Sequence, residues 1–199
     1  MAKVVDYYFS LISPFTYLGS RRFEEILQRH RAEVRVKPVS LAAIFPKTGG
    51  VPPAKRAPER QAYRFVELER WSKYLEMPLT LKPAYFPAPD IEAARAVIAA
   101  DQTGGDPLKL SHAILKAVWA EERNIADFGT LQEIAEESGH HATALMAAAG
   151  EPTTKTTYEK YTEEALEAGV FGAPTYVYAG ELFWGQDRLD FLDRALAEG

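Results

Sequence analysis

An α/β fold whose sheet-forming halves are separated by an all-helical block is what this 199-residue sequence predicts, on three observations. Residues 3–39 read strand, helix, strand; residues 59–149 show helical periodicity only; and after a helix ended by Gly169 the period returns to two for a hairpin before a last helix. Composition agrees: 47% hydrophobic and 26% charged residues describe a globular chain. At this length roughly 70% of the unfolded surface is buried on folding, so no metal or disulfide staple is required.

Each element has its own signal. Residues 3–9 are β-branched and aromatic with near-continuous apolar character, as in a strand buried on both faces. Ser13-Pro14 reads as an N-cap followed by proline at the first helical position, and Phe15, Leu18, Phe23, Ile26 and Leu27 carry a helix to about His30. Residues 34–39 alternate, completing a βαβ unit with a parallel start to the sheet. From Leu41 to Pro58 the density of proline and glycine predicts a structured loop bearing Lys47, Lys55 and Arg56. Helices are then predicted at 59–76, from an Asp90 cap to Ala100, from Asp106-Pro107 to Arg123, at 131–138 and at 141–149. Pro152 opens another, closed by Gly169. Residues 174–178, a turn at Ala179-Gly180 and residues 181–184 form the hairpin, and Asp187 caps a final helix whose Leu189, Phe191, Leu192 and Leu196 return it to the sheet. This layout is a thioredoxin-like core, residues 1–40 and 152–199, interrupted by a loop and helical insertion over residues 41–151.

Several function classes drop out. The net charge, 23 − 28 = −5, argues against a phosphate-backbone partner, so no nucleic acid is expected. With no cysteine there are no disulfides, thiolate metal sites, iron–sulfur clusters or cysteine nucleophiles. His30, His112, His140 and His141 are too scattered to predict a metal site. Asp6 interrupts the first apolar run and no small-residue cleavage site follows, while no apolar stretch approaches the ~20 residues of a bilayer span. A cytoplasmic location without membrane association is therefore expected.

Three segments carry chemistry. Ser13-Pro14-Phe15-Thr16 stands at the strand-to-helix handover where redox members of the thioredoxin fold hold two cysteines two residues apart. Without cysteine no sulfur of the chain can do redox chemistry, but a helix N-terminus with free N–H groups stabilises an anion, a ligand's thiolate included; the alternative is that Ser13 only caps the helix. In Gly172-Ala173-Pro174-Thr175 a proline opens a strand, where a cis bond would expose the backbone of Ala173 to a peptide-like ligand adding to that edge. Phe183-Trp184-Gly185-Gln186-Asp187-Arg188 sets an acid and a base after a glycine turn at another helix start, whose backbone amides suit a carboxylate while Asp187 suits an amino group; the alternative is that Asp187 is only a cap.

Together these segments resemble the 2-hydroxychromene-2-carboxylate isomerase family, which belongs with the kappa-class glutathione transferases and is similar in fold to bacterial disulfide oxidoreductases. The resemblance rests on Asp6-Tyr-Tyr-Phe-Ser-Leu-Ile-Ser-Pro-Phe-Thr-Tyr17, Gly169-Val-Phe-Gly-Ala-Pro-Thr175 and Phe183-Trp-Gly-Gln-Asp-Arg-Leu189, supported by Thr48-Gly-Gly-Val-Pro-Pro53 and Glu69-Arg70-Trp71. It implies glutathione as cofactor, with Ser13 on its sulfur, Ala173 and Pro174 pairing with its cysteinyl backbone, and Asp187 and Arg188 at its γ-glutamyl end. It further implies isomerisation of an aromatic 2-oxo or 2-hydroxy acid and a homodimer; Lys47, Lys55, Arg56 and Arg60 are candidates for the carboxylate of that acid, with a solvated basic face as the alternative, and of them Arg60 is taken as the substrate contact. The chain departs from the family pattern at Gly50, where asparagine is common, at Arg60 for lysine, at Pro89 for asparagine, at Gln186 for asparagine and at Ser10 for aspartate. Two further readings accompany the isomerase: a kappa-type transferase that conjugates electrophiles, and a thiol-binding protein without catalysis.

Overall fold

Alternation along the first strand decides the layers of the molecule. The computed structural model describes residues 2–199. In β1 (Val4–Phe9) the side chains of Val5, Tyr7 and Phe9 point to one face of the sheet and Tyr8 to the other, all of them buried. β1 runs parallel to β2 (Glu33–Pro38), with Val5 opposite Val34. On its other side it runs antiparallel to β3 (Thr175–Tyr178), with Tyr7 opposite Tyr176. β4 (Glu181–Trp184) closes the order β2-β1-β3-β4. This mixed sheet, with its parallel pair joined through α1 (Pro14–His30), is the thioredoxin-like core that the residue pattern predicts.

The Tyr7 face packs against α1 and the last helix, here α9 (Leu189–Glu198), through Leu18, Phe23, Ile26, Leu192 and Leu196. Aromatic stacking knits it: Tyr7 lies 4.4 Å from Phe9 and 5.2 Å from Tyr176, ring centroid to centroid. The opposite face holds a smaller cluster of Tyr8, Val39, Ile44, Ala165 and Val170 beneath α2 (Leu41–Thr48) and α8 (Pro152–Glu167). Lys37 crosses that face, its Nζ 2.8 Å from Glu164 Oε2 and 3.0 Å from Asp6 Oδ1.

Between the two parts of the core stand α3 (Pro58–Tyr74), α4 (Ile91–Gln102), α5 (Pro107–Trp119), α6 (Phe128–Glu137) and α7 (Ala142–Gly150). α4 is their axis. Its Ala93, Ala94, Ala96, Val97, Ile98, Ala99 and Ala100 are all buried, and the small side chains let α5, α7 and α8 close in around it. Among the described residues no helix is long and apolar enough to cross a membrane, and no cluster of His, Asp or Glu is placed to hold a metal ion.

The structure corrects the reading of residues 41–58 as loop. Ser40 Oγ accepts from the Ala43 N–H at 3.3 Å, Gly49 ends α2 in the left-handed region at φ 76°, and a 3-10 turn follows at Pro53–Lys55. α2 buries only Ile44 and contains Pro46, so it offers no amphipathic repeat to read. The helix expected to reach Arg123 ends at Trp119.

Candidate active site

The end of β1 and the start of α1 build the first part of the site. The Ser13 N–H donates to Ser10 O at 3.1 Å, which turns the chain, and Pro14 fixes the first helical residue. Ser13, 8% exposed, caps the helix: its Oγ accepts from the Thr16 N–H at 3.2 Å and donates to Ala173 O at 3.4 Å. The second contact is at the long end of the hydrogen-bond range, so the proton is only weakly held there. Ala173-Pro174 is cis, as is Phe86-Pro87, which the residues gave no reason to expect. Ser13 and Ala173, 160 positions apart in sequence, thus meet across the junction of helix and sheet.

The turn after β4 completes this edge. The Gly185 N–H donates to Pro174 O at 2.9 Å, fixing residues 185–188 beside the Ala173-Pro174 bend. Gly185 has φ 104°, a conformation that side chains rarely adopt, and the Asp187 carboxylate folds back over it. Close approach to α1 is possible because residue 19 is glycine: a Cβ there would stand 2.8 Å from Gln186 Cβ and 3.0 Å from Tyr176 Oη. Asp187 does not cap the last helix. It lies in a 3-10 turn, Gln186–Arg188, and its Oδ2 takes Arg188 Nη1 at 2.7 Å, with both side chains about half exposed. α9 begins at Leu189 without a side-chain cap, because the intervening turn moves Asp187 too far upstream.

The edge has unpaired groups suited to a peptide. Among the described residues the Ala173 N–H has no acceptor, and its carbonyl has only the long Ser13 contact. Thr16 Oγ1 and both polar atoms of the Gln186 side chain are buried without partners. Free backbone at Ala173, a capped helix N-terminus at Ser13 and a carboxylate–guanidinium pair at 187–188 form one contiguous edge.

A further residue escaped sequence reasoning. Ser10 Oγ donates to Asp90 Oδ2 at 2.9 Å, so the carboxylate absent from position 10 arrives from the helical block. Burial holds the Asp90 carboxyl above its ordinary range, against the Ser10 hydroxyl and the N–H groups of Asp90 and Leu11, which favour ionisation. Asp90 therefore braces the loop that carries Ser13 instead of capping α4 through its side chain, as its position had predicted. The only advance signal was the exchange of aspartate for serine at position 10. Arg60 is exposed on the first turn of α3, and its charge is felt by Arg56. A groove of about 860 Å³ between α1, the second half of α3 and the start of α9 reaches this edge only at Asp187 and includes neither Ser13 nor Ala173.

With this geometry established, likeness to known proteins is informative. The model of the DSBA-like thioredoxin domain matches residues 4–197. A 2-hydroxychromene-2-carboxylate isomerase from Sphingobium xenophagum is 31% identical over 199 residues, covering 100% of both chains. The chain belongs to the 2-hydroxychromene-2-carboxylate isomerase family, within the DSBA-like thioredoxin proteins. A solved structure of a 2-hydroxychromene-2-carboxylate isomerase matches this family member with a TM-score of 0.81 at 28% identity, covering 98% of this chain and 95% of the other. Rat (Rattus norvegicus) glutathione S-transferase kappa 1 is 23% identical, over 98% of this chain and 92% of its own. The family is one of enzymes.

Proposed function

We propose that the chain is a glutathione-dependent isomerase of an aromatic 2-oxo or 2-hydroxy acid, of the 2-hydroxychromene-2-carboxylate type. The observation that carries this reading is the Ser13 hydroxyl: it sits at a helix N-terminus beside the free Ala173 backbone in a chain without cysteine. Glutathione, when bound, supplies a thiolate that adds reversibly to the conjugated double bond of the substrate, which rotates as a single bond until the thiolate leaves.

The remaining work falls to the chain. On this reading Ala173 N–H and C=O pair with the cysteinyl backbone, and that pairing competes with Ser13 for the Ala173 carbonyl. Released from it, the Ser13 hydroxyl donates to the sulfur, aided by the positive end of α1. Asp187 and Arg188 offer opposite charges to the amino and carboxylate groups of the γ-glutamyl end. Each unit by which the bound thiol's pKa falls corresponds to about 1.4 kcal/mol of preference for the thiolate.

The test is a pH titration of thiolate absorbance for glutathione with the protein in excess, paired with calorimetry. The bound thiol should ionise at lower pH than free glutathione, and Ser13→Ala should move its pKa back toward the free value. No heat of binding at saturating glutathione, or an unshifted thiol, overturns the reading. The kappa transferase relative supports conjugation of electrophiles as a second reading. Product analysis separates the two, since isomerisation leaves glutathione unconsumed.

A further inference from the structure

The inward stripe of α3 contains a charge in a place suited to an apolar side chain. Leu68 is fully buried, and Trp71 and Leu75 pack against the core. One turn before Leu68 the same stripe has Arg64, half-buried, with its guanidinium carbon 5.9 Å from the Phe65 ring centre and 5.8 Å from that of Phe86. Among the described residues Arg64 has no hydrogen-bond acceptor and no carboxylate oxygen within 4 Å. The contrast along the helix is sharp: Arg70 and Lys73 are paired with Glu67 and Glu69, whereas Arg56, Arg60 and Arg64 have no acid partner. Burial, and then the charge of Arg56, lowers the proton affinity of Arg64; burial and Arg60 do the same to Arg56. An unpaired, desolvated cation costs stability, and a second one nearby adds to the cost. An arriving anion removes both penalties.

The cluster is linked to the serine loop through one short segment. Phe86, beneath Arg64, and Asp90, which holds Ser10, are the two ends of one five-residue segment, separated by at most about 14 Å of chain. We propose that Arg64, backed by Arg56, binds the carboxylate of the aromatic substrate, with the Phe65 and Phe86 rings flanking the planar acid. This assignment rests on the aromatic-acid reading above and deepens it: the planar fork of Arg64 meets a carboxylate through two parallel hydrogen bonds, and the two rings favour an aryl acid over an aliphatic one.

The probe is 2-naphthoate, with uncharged 2-naphthamide as control, titrated calorimetrically into the full chain at saturating glutathione. The chain should bind the acid about tenfold or more tightly than the amide. Arg64→Met should erase that preference, Arg64→Lys should restore part of it, and Arg70→Met, which breaks a paired arginine on the same helix, should leave it intact. Equal binding of acid and amide, an unaltered preference in Arg64→Met, or a preference lost in Arg60→Met but kept in Arg64→Met would each overturn the assignment. A preference that depends on Arg64 in a chain with no isomerase turnover would uphold this site while removing the isomerase reading. Turnover of 2-hydroxychromene-2-carboxylate with a KM unmoved by Arg64→Met would do the reverse.

Discussion

The Ser13 hydroxyl has one proton to give, and its two neighbours make different demands on it. The Thr16 N–H needs only the oxygen lone pair, so on the proposed reading capping would continue if the proton moved from Ala173 O to a bound sulfur. Structural and chemical roles are therefore separable in one side chain. Ser13→Ala should cost the fold about 1 kcal/mol, the usual value of an N-cap, and lower kcat by about 10²–10³-fold, the usual effect of deleting a hydrogen-bond donor to a developing anion. Urea unfolding and steady-state kinetics on the same preparation check both; a variant that loses stability yet turns over normally would leave Ser13 with the cap alone. This residue was legible because its helix-capping neighbours are adjacent in sequence. Asp90 was not, because its partner Ser10 lies 80 positions away and local pattern assigns any aspartate before a helix to capping. Arg64 was hidden for a related reason: charge on a helix reads as solvated face until packing shows which face is inward.

Among the elements, α1 is the one on which most of the architecture depends. It bridges β1 and β2, packs on α5 in the helical block, and lies against the 186–188 turn at Gly19. Gly19→Ala should gain the roughly 1 kcal/mol of helix propensity that alanine has over glycine but lose about 1–3 kcal/mol to overpacking against Gln186 and Tyr176. The turn bearing Asp187 would shift, so glutathione affinity should fall even where the variant stays folded, which calorimetry checks. α8 is tied to the sheet differently. Burial opposes ionisation of Glu164, but the hydrogen bond and charge of Lys37 outweigh it and hold the carboxyl below its usual range. A carboxylate lowered in this way stabilises the fold above its unfolded pKa of about 4.3, and the contribution fades as pH falls through the folded value. Glu164→Gln should cost about 1–3 kcal/mol at pH 7, where Asp6 still partners Lys37, and the gap between variant and parent should narrow below about pH 4. Urea midpoints across that range test it; a gap that widens on acidification would contradict the ion-pair account. The long helices and both hairpin strands were readable from periodicity, while α2 was not, since burying Ile44 alone leaves no repeat.

At the scale of the whole molecule the decisive fact is a thioredoxin-like core without a cysteine. The chain contains no cysteine, yet the α1 N-terminus at Ser13 and the unpaired Ala173 N–H meet at one edge of the sheet. Any thiol that reacts must come from solution. Pre-treatment with iodoacetamide, followed by removal of the reagent, should therefore leave activity unchanged, because no thiol of the protein is there to alkylate. Turnover should saturate with added glutathione, and an analogue with a methyl group in place of the thiol should compete for Ala173 and Asp187 without supporting the reaction. Across many turnovers the total free glutathione should stay constant, since a thiolate that adds and then leaves is regenerated in each cycle. Thiol titration of the reaction mixture measures this directly. Loss of one glutathione per product would show that the adduct is released, and the same edge would then belong to a conjugating transferase.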